Sequence, residues 1–107
     1  VLEHFKEPGR IVEEMKRVSR HMVISIVPNA LNPLLVKLAQ QQVEQYKGKD
    51  HWASYENPMT EREVADIFSH ADLTYVKTKL VFPEADSKPE SDPSKYRMIM
   101  VTGVKSR

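Results

Sequence analysis

The sequence predicts an α/β domain, a small sheet flanked by helices. Three observations carry this. An unbroken apolar run rich in β-branched residues, Met22 to Val27, lies between two stretches with helical spacing. Two further strand patterns, Thr74 to Phe82 and Tyr96 to Val104, close the chain. Ahead of them, Thr60 and Glu63 form the capping box of a helix. A length of 107 residues suits one compact domain and no more.

The first helix is expected from Pro8 to about Arg20. Pro8 suits a first-turn position, where its missing N–H has no partner to lose. Ile11, Met15 and Val18 recur at helical spacing beside Val12, and Glu13, Glu14, Lys16 and Arg17 cover the other face. Glu13 and Arg17 stand four apart in the favourable order for an ion pair. Met22 to Val27, closed by Pro28 and Asn29, reads as a strand buried on both faces, as in a parallel sheet covered by helices.

A second helix is predicted from Leu31 or Pro33 to Tyr46, with Leu31, Leu34, Leu35, Leu38, Gln42 and Val43 on an amphipathic track and Gly48 as its stop. Residues 48–58 read as a loop. In the third helix Thr60 is the cap, Met59 staples onto Val64, and Val64, Ile67, Phe68 and Ala71 face inward. In the strand Thr74 to Phe82, Val76, Thr78, Leu80 and Phe82 share one side, and Lys77 and Lys79 the other. Pro83 to Lys95 is charged, proline-bearing and free of large apolar residues, the pattern of a mobile loop. Tyr96 to Val104 is the closing strand.

Composition narrows the function classes. The net charge is +1, which argues against a dedicated nucleic-acid binder with its basic excess. There is no cysteine, so disulfides, thiolate metal sites and cysteine nucleophiles are excluded, and a reducing, cytoplasmic setting is the expected one. No apolar run approaches the roughly 20 residues that span a bilayer, so no membrane partner is expected. The opening Val-Leu-Glu-His-Phe has neither the charged leader nor the apolar middle of a signal peptide. It does not begin with methionine, as a cut or processed piece of a longer protein would not.

The front of the chain reads Val1-Leu-Glu-His-Phe5, Glu7-Pro8, Met15-Lys-Arg-Val18, then Met22-Val-Ile-Ser-Ile-Val-Pro-Asn29. This order and spacing resembles the middle of class I S-adenosylmethionine-dependent methyltransferases, of the type 11 group found in ubiquinone and menaquinone biosynthesis. Tyr55 to Leu73 is similar to a later segment of the same family, with Ala71-Asp72-Leu73 where the family usually has Ala-Gly-Phe. The resemblance implies the C-terminal half of a Rossmann-like methyltransferase sheet across residues 1–107: three strands, the last one antiparallel, flanked by helices. On that template Val1 and Leu2 end a fourth strand, Met22 to Val27 is the fifth, Thr74 to Phe82 the sixth, and Tyr96 to Val104 the seventh, inserted between the fifth and sixth.

Two departures accompany the resemblance. The family grips its cofactor with a Gly-rich turn after its first strand. This chain has three glycines, Gly9, Gly48 and Gly103, in no Gly-x-Gly pattern. Ser19-Arg20-His21 stands where the family usually has a Lys-Pro-Gly-Gly turn.

The resemblance also implies site residues. Leu2 and Glu3 line the methionyl end of S-adenosylmethionine, and His4 faces the methyl acceptor and can take its proton. Asn29 can bond a substrate, or make a turn that caps the next helix. Trp52 and Tyr55, with His51, can form a substrate lid, or Trp52 can anchor its loop on the core. His21 and His70 have no partners at metal-ligand spacing, and no metal is expected. Lys77 and Lys79 read as a solvated strand face.

Two functions follow. In the first, the chain is part of a methyltransferase for a small molecule; it supplies the acceptor side of the site and is inactive alone. In the second, it is a stand-alone, non-catalytic module. An exposed sheet edge at Met22 to Val27, or the leucine-bearing helix, would then hold a homo-oligomer or swapped assembly together.

Overall fold

The computed structural model of the chain describes residues 2–49, 56–83 and 92–105. The loops expected at 48–58 and 83–95 therefore fall partly outside the described residues, as do His51, Trp52 and Tyr55. The element order is a 3-10 turn (Leu2–His4), α1 (Pro8–Val18), β1 (Met22–Pro28), α2 (Pro33–Tyr46), α3 (Glu61–His70), β2 (Leu73–Pro83), a 3-10 turn (Pro93–Lys95) and β3 (Tyr96–Lys105). Leu2 lies in the opening turn and not in a strand. Its side chain is fully buried and packs into the core, anchoring the turn there.

The helix ends follow local chemistry. Pro8 opens α1, and the Ser19 N–H closes it on the Met15 and Lys16 carbonyls. Arg17 pairs with Glu14, Nε to Oε2 at 2.8 Å, and not with Glu13; residues three apart are also neighbours on a helix surface. Asn32 caps α2 through its side-chain oxygen, which accepts from the Leu34 and Leu35 N–H groups. Gly48 follows α2 with φ +75°, a left-handed conformation that a side chain resists. Both bonds of the α3 capping box are present at 3.1 Å, between Thr60 Oγ1 and the Glu63 N–H and between Glu63 Oε1 and the Thr60 N–H. Such a cap contributes about 1 kcal/mol.

The three strands form one sheet in the order β1-β3-β2. β3 is antiparallel to both neighbours, with Ser25 opposite Val101 and Leu80 opposite Ile99, so β1 and β2 run parallel with the last strand between them. This is the strand order that the family resemblance implied. The β2–β3 register is irregular between Thr74 and Lys77, where Tyr75 has φ +50°. Beyond it Val76, Thr78 and Leu80 are half-buried, and Lys77 and Lys79 exposed, as their alternation implied. Phe82 leaves the pattern at φ +56° and is exposed.

Helices α1 and α3 cover one face of the sheet. Val12 and Phe68 pack there with Val23, Val27, Ile99 and Val101. The expectation that β1 is buried on both faces is corrected. Its burial alternates, and Met22, Ile24 and Ile26 are 48%, 54% and 42% exposed. The run is apolar on both faces, but the described residues place a helical layer on only one. The shortest dimension of the domain, 17 Å, fits a single sheet with a single helical layer. β1 is also an edge strand, not an interior one. The leucine track of α2 likewise turns outward: Leu31, Leu34 and Leu38 are exposed, and Ala39 is the buried residue of that helix.

Candidate functional site

Residues 57–59 tie the opening turn to the carboxyl end of β1. The Asn57 N–H donates to the Glu3 carbonyl at 2.8 Å, and the Met59 N–H to the Pro28 carbonyl at 2.9 Å. Ala30 N–H returns a bond to the Met59 carbonyl, and Asn29 and Met59 form a parallel bridge. Buried Leu2 and Met59 fix both partners to the core. The carboxyl ends of strands are where open α/β sheets hold ligands.

This clamp brings Glu56 onto the Glu3-His4 pair. His4 Nδ1 lies 2.9 Å from Glu56 Oε2, and His4 Nε2 lies 3.5 Å from Glu3 Oε1. Gln42, from α2, donates Nε2–H to the same Glu56 oxygen at 3.1 Å. One imidazole is thus bracketed by two carboxylates, all three side chains partly shielded from solvent. With the proton on Nδ1, the ring donates to Glu56, which fixes its orientation.

Burial pushes the Glu56 carboxyl above its ordinary range, and the neighbouring Glu3 charge adds to this. His4 and the Gln42 amide act the other way without cancelling it. A raised carboxyl pKa favours the protonated form in the folded state. The contribution of Glu56 to stability is therefore full below its unfolded pKa and declines as pH rises through the folded value. Glu56→Gln should accordingly gain stability relative to wild type as pH rises from about 4.5 upward, the reference carboxyl value. Urea denaturation of both proteins across this range checks it; a stability difference that stays flat, or falls with pH, contradicts it.

The sequence-derived site residues separate in space. Glu3 and His4 join the cluster. Leu2 is fully buried. Asn29 is 1% exposed, and its amide is engaged on both ends: Nδ2 donates to the Pro93 and Tyr96 carbonyls at 2.8 and 2.9 Å, and Oδ1 accepts from the Leu31 N–H at 3.0 Å. It makes the expected turn, while the helix cap falls to Asn32. Trp52 and Tyr55 lie outside the described residues. His21 and His70 are exposed and apart from the cluster, His70 Nδ1 lying 2.7 Å from the Asp66 carbonyl. Lys77 and Lys79 flank a groove with Met100 and Thr102 on the open sheet face.

Glu56 and Gln42 are the residues that sequence reasoning missed. They lie far along the chain from His4, and nothing in their spacing marks them; only the clamp at 57–59 brings Glu56 in. No protein-family model matches the chain, and no curated protein matches it significantly. Among the described residues no helix is long and apolar enough to cross a membrane.

Proposed function

We propose that the chain supplies the acceptor side of an S-adenosylmethionine-dependent methyltransferase acting on a small molecule. The strand order carries this reading: an antiparallel last strand lies between two strands that run parallel to each other. That is the arrangement implied for the end of the family's sheet. The Glu3-His4 turn at the carboxyl end of β1 adds to it. In this reading His4 faces the acceptor, and Glu56 holds the imidazole oriented to take a proton from it. Methyl transfer is a displacement that depends on in-line positioning, with a base only where the nucleophile carries a proton. Glu3 borders the methionyl end of the cofactor, fully buried Leu2 anchors the turn beneath it, and Asn29 shapes the floor next to β1.

The cofactor itself requires a Gly-rich turn, which these residues do not contain. The 107-residue chain should therefore show no calorimetric binding of S-adenosylmethionine, and the coding sequence upstream of Val1 should encode a strand followed by such a turn. Tight binding by the chain alone, or a start codon at or beside Val1, overturns the reading.

One observation favours a second reading, a non-catalytic module that self-associates. In the β1–β3 ladder the bonds from Lys105 N to His21 O and from Asn29 N to Arg97 O set the alternation. Val23, Ser25 and Val27 direct their backbone groups toward β3, and Met22, Ile24 and Ile26 direct theirs to the open edge. An apolar edge of this kind templates pairing with a second copy. A monodisperse monomer in light scattering counts against it.

A further inference from the structure

We infer that Glu3, His4 and Glu56 form a binding site for a divalent transition-metal ion, with the His4 imidazole and the two carboxylates as ligands. The donor atoms of the three side chains lie within 4.8 Å of one another. Two ligands at right angles about an ion, each ~2.1 Å from it, stand ~3.0 Å apart, and ~3.4 Å apart in a tetrahedral arrangement. The 2.9 Å between His4 Nδ1 and Glu56 Oε2 fits the first of these spacings. An ion on the Nδ1 side takes these two atoms directly. Glu3 Oε1 now lies 3.5 Å from Nε2, and joining the ion requires its side chain to rotate toward Nδ1.

The site is built and not merely acidic. An imidazole ring sits between the carboxylates, Nδ1 toward Glu56 and Nε2 toward Glu3. Glu56 is held by the Gln42 amide at 3.1 Å, as an outer-sphere donor holds a ligating carboxylate. The Asn57–Glu3 backbone bond fixes the two ligand-bearing segments relative to each other. Two carboxylates of one sign converge in a partly buried space, and a bound dication neutralises both. One nitrogen and two oxygens select an ion of the zinc, cobalt or manganese type over calcium or magnesium. Three protein ligands leave coordination positions for water or an exogenous oxygen. The inference is independent of the methyl-transfer reading; an ion on Nδ1 leaves the ring proton on Nε2, so His4 does not hold the ion and serve as the base at once.

The test is titration of the 107-residue chain with Zn2+ alone by calorimetry, and with Co2+ followed by its visible absorption. One ion per chain is expected. His4→Ala and Glu56→Gln should each weaken binding at least tenfold, Gln42→Ala by roughly tenfold as an outer-sphere loss, and His70→Ala should leave it unchanged. Circular dichroism of each variant checks folding. If a ligand variant unfolds, Mn2+ added to the isotopically labelled wild-type chain replaces it: the amide signals of Glu3, His4 and Asn57 should broaden while those of Val101 and Lys79 persist. Absence of saturable binding, binding equal in His4→Ala and Glu56→Gln to that of wild type, or broadening centred elsewhere overturns the site.

Discussion

Phe68→Ala should lower the stability of the domain by about 4 kcal/mol, read from urea denaturation. Phe68 is fully buried on the sheet-facing side of α3, and its ring rests against the backbone of β3 at Gly103. A methyl group on Gly103 would stand 3.0 Å from Phe68 Cδ2 and 2.9 Å from Leu73 Cβ, so the glycine is what lets the helix approach the strand this closely. Truncating the ring removes its transfer free energy. It also leaves a cavity between two rigid layers that cannot close over it. A domain of this length is stable by about 5–15 kcal/mol in all, so the loss takes a large share of the whole. A drop below about 1 kcal/mol is incompatible with Phe68 as the central contact between α3 and the sheet.

Asn29→Leu should destabilise by about 2 kcal/mol, although the replacement has the same branched skeleton of heavy atoms and is more apolar. Its two Nδ2 bonds tie the end of β1 to the Pro93 and Tyr96 carbonyls, where β3 begins. Removing the amide leaves the Leu31 N–H without its side-chain partner, while the Pro93 carbonyl keeps a bond from the Tyr96 N–H. The Tyr96 carbonyl keeps a bond from Asn32 Nδ2 at 3.3 Å. Each group stranded away from water contributes about 1–3 kcal/mol of penalty. Hydrogen exchange locates the effect: the Leu31 and Ser94 amides should lose protection ahead of Val101. Wild-type stability in Asn29→Leu contradicts the tie.

Much of the fold was legible because its signals are local. The Thr60–Glu63 box, Pro8, and the β-branched run from Met22 each act within a few residues, and each element formed near its predicted bounds. What failed depends on what lies across space. An apolar run says that a strand can be buried on both faces, not that a second layer is present. Met22, Ile24 and Ile26 show the difference. The leucines of α2 fail similarly: spacing identified an amphipathic helix, but its best-buried residue is Ala39. Arg17 chose between two acidic neighbours that periodicity alone does not rank. In the site, Glu3 and His4 were named from the family resemblance, after a strand end that is a 3-10 turn in the structure. Glu56 was not legible, because its position depends on the Asn57–Glu3 and Met59–Pro28 bonds, which no local pattern encodes.

The placement of β3 sets the order in which the sheet can be assembled. The strand that joins the other two is the last of the three to leave the ribosome, and β1 waits for it across most of the chain. Until β3 arrives, nothing joins β1 to β2, and α1 and α3 have only a partial surface on which to dock. Closing such a long loop must precede any gain from strand pairing, which makes for slow, all-or-none folding with the apolar β1 segment uncovered meanwhile.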